Sequence, residues 1–366
     1  MNAGRLSNPL HALAALAALA ILGLLTAAPG NAAEYYDSYD LTPRTDTVDL
    51  GVQPNAWPLA FISAVMQRDK LLAAELKTKG ISLRTFAFRK GNDVYKLVGN
   101  GKLEMAFLGD MPTVNAIATT PTVVIGLGKR NFSSVVARDY SRLEELRGKK
   151  IGYSAGSSSH LVLLRGLEAA KMTEEDIELV TLEPAQMPDA LENEQVAAYS
   201  AWEPTPSMSL ARNPRNRAIY RGMSTDWLVF SRDFSDKQPE VAALLTASYV
   251  RAINWMRQKS ANLDLAADWV IADSTAFTGK PPALPRPKVI DIARKDLLDV
   301  PGAPSIPAQV DGAPPLTREL AFLKAQGRLP ADFDDSLLSK AFAYDGLKRV
   351  QADPKRHRLY QFDYAK

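Results

Sequence analysis

Cysteine is absent from the 366 residues, and histidine occurs only at His11, His160 and His357. Without thiols the chain has no disulfide, thiolate zinc site, iron–sulfur cluster, cysteine nucleophile or thioether lipid anchor. Three histidines leave little from which to build a His-rich metal centre. An excess of one charge is missing too. Forty-four Lys and Arg stand against 41 Asp and Glu, a formal net charge of +3, so no general field draws the chain to nucleic acid or to an anionic membrane. After residue 28 there is no long apolar run. With 46% hydrophobic and 23% charged residues, the composition also excludes disordered, collagen-like and multi-span membrane classes. What remains is long enough for two domains with ordinary cores.

Residues 12–28 are rich in Ala and Leu, follow the lone charge of Arg5, and run into Pro29-Gly30-Asn31-Ala32-Ala33. A basic start, an apolar centre and small residues before a polar stretch describe a secretory signal peptide over residues 1–33. A single membrane anchor is the alternative, but the run sits at the short edge of the roughly 17–25 residues that a span needs. The expectation is an exported, soluble, periplasmic protein with no lipid anchor.

From residue 48 to about Trp227, β-type runs alternate with amphipathic helical runs. Strands are expected at 48–53, 83–88, 105–109, 122–127, 150–153, 178–182 and 196–201. Helices are expected at 58–79, 92–98, 112–119 and 161–171, the first starting with Pro58 and stopping at Gly80. This alternation argues for βαβ units and a mainly parallel sheet. The order also repeats. Each half runs from a strand through a polar loop into a long helix. Each then ends a later strand with an acidic residue and a proline, Asp110-Met111-Pro112 in one case and Glu203-Pro204 in the other. After Asp233 the pattern is helical, with helices expected at 238–259, 262–272, 316–326 and 335–350. Between them, the proline-dense stretch 280–315 reads as an extended excursion packed over one lobe. The fold class expected is α/β and two-lobed, each lobe a mainly parallel sheet flanked by helices, with a ligand cleft between the lobes.

In open α/β sheets ligands bind beyond the carboxyl ends of strands. Four loops qualify: 53–57, 109–111, 156–160 and 202–203. In the third, Gly156, Ser157, Ser158, Ser159 and His160 bring backbone N–H groups, hydroxyls and a helix N-terminus to one point, which suits an anion. Capping alone would also use a serine. No Gly-Lys-[Ser/Thr] ending makes this a P-loop, and no Gly-x-Ser-x-Gly elbow makes Ser157 a nucleophile. His160 either donates to an anionic ligand or packs at the helix start. Gln53, Asn55 and Trp57 in the first loop, Asp110 and Met111 in the second, and Trp202, Glu203 and Asp226 elsewhere at the same mouth complete the candidate ligand set. Trp57, Trp202 and Trp227 are candidates to wall the cleft, while Trp255 and Trp269 read as core. The acids suit an amine or ring N–H on the ligand, or each caps the helix beside it. No catalytic residue, metal ligand or cofactor is expected.

The segments Arg147-Gly148-Lys149-Lys150-Ile151-Gly152, Gly156-Ser157-Ser158-Ser159-His160, Leu163-Leu164-Arg165-Gly166-Leu167-Glu168 and Ala201-Trp202-Glu203-Pro204 resemble the second lobe of the aliphatic-sulfonate, taurine and nitrate substrate-binding proteins of ABC importers. The segment from Gly101 through Gly109-Asp110-Met111-Pro112 resembles the matching part of their first lobe. The resemblance implies a type 2 periplasmic-binding fold, with a first lobe of 34–136 and 234–366 and a second lobe of 137–233. It implies that the 157–160 turn holds a sulfonate or other oxyanion and that Glu203 meets an amine or heterocycle nitrogen. It also implies a monomer that delivers its ligand to an inner-membrane permease and ATPase. Trp57 in the first loop and the long C-terminal part lean toward an organic anion larger than nitrate or taurine. The rival readings are an enzyme or a ligand sensor on the same bilobal fold, and a nitrate or pyrimidine-precursor binder. A desulfinase that depends on cysteine is excluded.

Overall fold

The structure is a computed structural model that describes residues 34–298, 313–342 and 344–364. The expected signal peptide, and residues 299–312 of the proline-dense stretch, lie outside the described residues. A short 3₁₀ turn, Tyr35–Ser38, belongs to a unit separate from Leu41–Lys366.

In the larger unit the elements run β1 (Thr47–Val52), α1 (Leu59–Met66), α2 (Lys70–Thr78), β2 (Ser82–Ala87), α3 (Gly91–Gly99), β3 (Met105–Gly109), α4 (Asp110–Thr119) and β4 (Thr122–Arg138). They continue with β5 (Lys150–Tyr153), α5 (Ser158–Ala169), β6 (Glu178–Thr181), α6 (Met187–Glu192), β7 (Ala198–Ala201), α7 (Thr205–Arg212) and β8 (Asn216–Ser231). The remainder is helical: α8 (Arg232–Lys237), α9 (Pro239–Gln258), α10 (Ser260–Thr278), α11 (Arg286–Ala293), α12 (Thr317–Ala325), α13 (Ser336–Ala341) and α14 (Asp345–Ala352).

Eight strands form one sheet in the order β2-β1-β3-β8-β4-β7-β5-β6. Pairing is parallel on both flanks, where β1 lies between β2 and β3 and β5 lies between β6 and β7. The centre is antiparallel, because β4 and β8 pair along nearly their whole lengths. The β3 strand pairs with Asp226–Phe230 of β8, whereas β7 pairs with Ser134–Ala137 of β4. Two strands therefore pass from the first lobe, around β1–β3, into the second, around β5–β7.

The ladder was only partly foreseeable. The expected strand stops at 127, and no strand was expected at 216–231. In the structure the register shifts between Val124 and Gly126 and again between Leu127 and Lys129. The strand bulges there and continues; such bulges re-aim side chains. Gly126 and Gly128 belong to these irregular steps. A Cβ on Gly128 would sit 2.8 Å from Leu59 Cδ2, so any larger residue there would have to displace the Leu59 side chain of α1.

Val48, Leu50 and Val52 of β1 share one buried cluster with Phe61 and Ile62 of α1, Tyr249 and Ile253 of α9, and Leu347 of α14. Each such side chain contributes about 1.5–3 kcal/mol by leaving water, and their shared cluster holds α9 and α14 on the first lobe. Val135, Ile151, Leu163 and Ala198 form a second cluster, and Val136, Met187, Leu191 and Tyr199 a third.

Three helical expectations need correcting. The 58–79 run is two helices, because Asp69 caps α2 by accepting from Leu72 N–H at 3.0 Å while its carboxylate takes donors from Arg251 and Ser248 of α9. The 335–350 run is also two helices, α13 and α14. Residues 280–298 are not merely extended. Pro285 and Pro287 sit at the start of α11, where a missing N–H is tolerated, and a π turn, Arg294–Leu298, follows.

The segment 313–342 touches both lobes. Glu319 pairs with Arg165 of α5 at 3.1 Å, the Arg165 guanidinium lies 5.7 Å from the Phe322 ring centroid, and Arg328 pairs with Glu174. On the first-lobe side, Phe342 packs edge-on against Trp227 at 5.1 Å and Arg232 donates to Lys340 O at 3.1 Å. Among the described residues no helix is long and apolar enough to cross a membrane.

Candidate functional site

The four loops converge where β4 and β8 pass between the lobes. Trp57 N–H donates to Glu203 O at 3.0 Å and Lys90 pairs with Glu183 at 2.7 Å, so the lobes meet directly. Gly109 is the tightest point. A Cβ there would collide with Ser158 Oγ and lie 2.8 Å from Asp226 Oδ1. Between these contacts is a cavity of about 30 Å³ lined by Gln53, Ala56, Leu59, Gly91, Gly109, Pro112, Lys129, Ser157, Ser158, Trp202, Ser224 and Asp226.

The three serines of the glycine-serine turn have different jobs. Ser157 is the N-cap of α5. Its hydroxyl donates to Ser154 O at 2.7 Å, and its oxygen accepts from His160 N–H at 3.2 Å. Ser159 is buried behind it, with its oxygen 2.9 Å from Ser157 Oγ and its carbonyl accepting from Ser200 Oγ at 2.7 Å. Ser158 Oγ alone has no partner and lines the cavity. Ser224 Oγ and Trp202 Nε1, also in the lining, are likewise buried and unpartnered. Buried polar groups are nearly always hydrogen-bonded, so three free donors around one small cavity describe a receptor for acceptor atoms.

Lys129 adds a cation. It is buried, its ammonium lies 3.0 Å from Asp226 Oδ2, and it donates to Asn131 Oδ1 at 2.7 Å. Burial pulls its pKa down to about 8, against the opposing charges of Asp296, Asp110 and Glu203. Burial pushes Asp110 up to about 7, helped by the charge of Glu319 and opposed by the donations of Thr225 and by Lys129. Glu203 and Asp296 are raised as well, in both cases first by burial. The lining thus combines unpartnered donors and an ammonium with one carboxylate, Asp226, while Asp110, Glu203 and Asp296 lie outside it.

Several candidates sit elsewhere. His160 turns away from the cavity. Its Nδ1 accepts from Gly156 N–H at 3.3 Å, which leaves Nε2 to face Glu174 Oε1 at 3.3 Å. It is therefore packed at the helix start, and burial first of all holds its pKa low. Trp57 is fully buried, its indole N–H donating to Pro54 O at 3.1 Å and its ring edge-on to Phe61; it belongs to the core and supports no inference about ligand size. Trp227 packs on Phe342. The Asp110 carboxylate accepts both the N–H and the hydroxyl of Thr225 and is not in the lining. Met111 is buried within α4, and Asn55 is half-buried in the first loop. Gln53 lines the cavity, with Nε2 donating to Phe107 O at 2.8 Å. Glu203 Oε2 accepts from Ser207 N–H at 3.3 Å.

Sequence reasoning missed Lys129, Ser224 and Asp296. The only signal for Lys129 was a charged residue interrupting a β-type run. Among the described residues no cluster of metal-ligating side chains occurs.

Comparison with known proteins follows the same lines. Residues 43–272 match the model of the NMT1-like family. A Bacillus subtilis (strain 168) protein named for binding aliphatic sulfonates is 23% identical over 232 residues, 60% of this chain and 68% of that one. The taurine-binding periplasmic protein of Escherichia coli (strain K12) is 24% identical over 306 residues, 79% of this chain and 89% of that one. Among solved structures, the alkanesulfonate-binding protein SsuA of Xanthomonas axonopodis pv. citri, bound to MOPS, matches with a TM-score of 0.62 at 18% identity. That match covers 82% of this chain and 99% of SsuA.

Proposed function

We propose, from the premise that this chain belongs to the NMT1-like family, that it is the periplasmic solute-binding component of an ABC importer for a small organic anion of the organosulfonate type. The observation that carries this reading is the set of unpartnered donors, Ser158 Oγ, Ser224 Oγ and Trp202 Nε1, beside Lys129 and the N-terminus of α5. A sulfonate has three oxygens and a diffuse negative charge, and charge-assisted donors in a site shielded from water bind such a group well. The Asp226 carboxylate in the lining suits a ligand that also carries an amine or N–H.

The boundary between the lobes runs through the central strands: the first lobe takes β1–β3 with the start of β4 and Asp226–Ser231 of β8, the second takes β5–β7 with the end of β4 and the start of β8, and 313–342 lies across both. A cavity of about 30 Å³ has room for about one water, so a sulfonate enters only when β4 and β8 flex and the lobes part. Closure then gains free energy because the ligand touches both lobes and binds the closed state preferentially. Export by residues 1–33 places the protein where an inner-membrane permease and its ATPase receive the ligand. No cofactor and no catalysis are part of this reading. The imidazole of His160 is held by Gly156 and Glu174 and makes no hydrogen bond to Ser158.

The test is a calorimetric titration with alkanesulfonates, taurine and nitrate. A sulfonate should bind, and Ser158→Ala and Ser224→Ala should each weaken it about 10- to 100-fold, as loss of a charge-assisted donor does. Absence of heat and of thermal stabilisation with every member of the panel, or unchanged affinity in both variants, would overturn the proposal.

A further inference from the structure

Lys129 reaches the cavity from a strand that bulges just before it, and its ammonium has three N–H donors. Two partners are fixed: Asp226 Oδ2 at 3.0 Å and Asn131 Oδ1 at 2.7 Å. That leaves one N–H for a group in the cavity that Lys129 lines. The Asn131 amide is itself oriented, because its Nδ2 donates to Asp296 Oδ2 at 2.9 Å. With the nitrogen committed to Asp296, the oxygen must face the ammonium. The reverse orientation would aim amide hydrogens at a cation.

Asp296 belongs to the π turn Arg294–Leu298, beyond residue 272 where the family match ends. We infer that Asp296 is a positioning residue for ligand binding: it fixes the Asn131 amide on Lys129 and balances the lysine's charge, so that the third N–H is presented to the ligand's oxyanion. This rests on the proposed anion-binding reading and assigns a role to a part of the chain outside the matched family residues.

The charged groups facing Lys129 are Asp226 from β8, Asp110 from α4, Glu203 from the loop after β7, and Asp296. Beside the ion pair with Asp226, the charges of Asp296, Asp110 and Glu203 keep the ammonium protonated against burial, Asp296 first among these three. An anion binds the charged form, so affinity is present below the lysine's pKa and fades as pH rises through it. Removing the Asp296 charge moves that fade to lower pH.

The decisive experiment needs no ligand. In full-length protein carrying ¹³C-labelled lysine, the Lys129 ε-carbon resonance is assigned by its loss in Lys129→Met and titrated with pH. Wild type should titrate near pH 8. Asp296→Asn and Asn131→Leu should titrate lower by about half a pH unit or more, and Asp296→Glu should restore the wild-type midpoint. Affinity for a bound alkanesulfonate at pH 8 should fall about two-fold or more in Asp296→Asn, matching that displacement. Unchanged midpoints in both Asp296→Asn and Asn131→Leu would overturn the inference. If wild type takes up no sulfonate, the proposed ligand class fails, and the lysine titration still decides what Asp296 does.

Discussion

Ser157 and Ser158 are neighbours of the same chemistry, both buried, and the backbone gives them opposite employment. Ser157 is consumed in starting α5; Ser158 keeps a free hydroxyl in the cavity. Ser157→Ala should therefore lower stability by about 1 kcal/mol, the usual cost of a lost N-cap. Ser158→Ala should leave the denaturation midpoint equal or higher, because it deletes an unsatisfied buried group, while it weakens the ligand. Urea denaturation of both variants separates the two roles. Asp110 gives a second prediction at this scale. Its carboxyl is pushed up to about 7, so the folded state holds that proton more tightly than the unfolded chain does. The resulting stabilisation is complete below the ordinary carboxylate range near pH 4 and is lost as pH rises through 7. Measured against Asp110→Asn, wild type should lose thermal stability steadily from pH 4 to 7.5, by about 3 °C or more in relative melting temperature. The difference between the proteins is the proper measure, because His160 and His357, both held low, act in the opposite sense. That a polar cavity borders the glycine-serine turn was readable from residue types. Which serine was free was not, because that depends on a helix axis and not on composition.

At the scale of elements, the parallel flanks were legible because each strand is short, apolar and followed by a helix. The central pair was not. The β8 strand is continuously buried only from Asp226 to Ser231 and mixed before that, so neither alternation nor a continuous apolar run announces the whole strand. The β4 strand hides its second half behind Gly128-Lys129-Arg130-Asn131, a string with the composition of a turn. These residues continue the ladder because β8 lies alongside and accepts the irregular register. The break between α1 and α2 was equally silent, since Asp69 is drawn out of the helix by Ser248 and Arg251, residues 179 and 182 positions away. Gly109 ends β3 against Ser158 of the opposite lobe. Gly109→Ala should prop the lobes apart, raise the radius of gyration in small-angle scattering, and cut ligand affinity about ten-fold or more. Protein that scatters like wild type would mean that Ser158 moves aside without cost.

The whole molecule is tied across its cleft by residues 313–342. Glu319 and Arg328 hold the second lobe through Arg165 and Glu174, while Phe342 and Lys340 hold the first through Trp227 and Arg232. Opening must stretch or break these contacts. The pairs are partly exposed, so each is worth at most about 1 kcal/mol, but together they bias the equilibrium toward closure. Arg165→Ala combined with Arg328→Ala should raise the ligand dissociation rate about three- to ten-fold with little change in melting temperature, as stopped-flow displacement would show. This strap was foreseen only as two helices, because nothing in an amphipathic helix says which of two lobes it will touch.

The shared central strands also decide what can be cut from what. Each lobe completes its sheet with half of β4 and half of β8, and the other halves of those same strands serve its neighbour. A protease nick in either crossing leaves the lobes joined by the other. A fragment ended inside β4 lacks β8, the strand that joins β3 to β4, together with β5, β6 and β7. The lobes can rotate about their common seam, but neither can be inherited, expressed or exchanged as a separable module without taking half of the other's backbone with it.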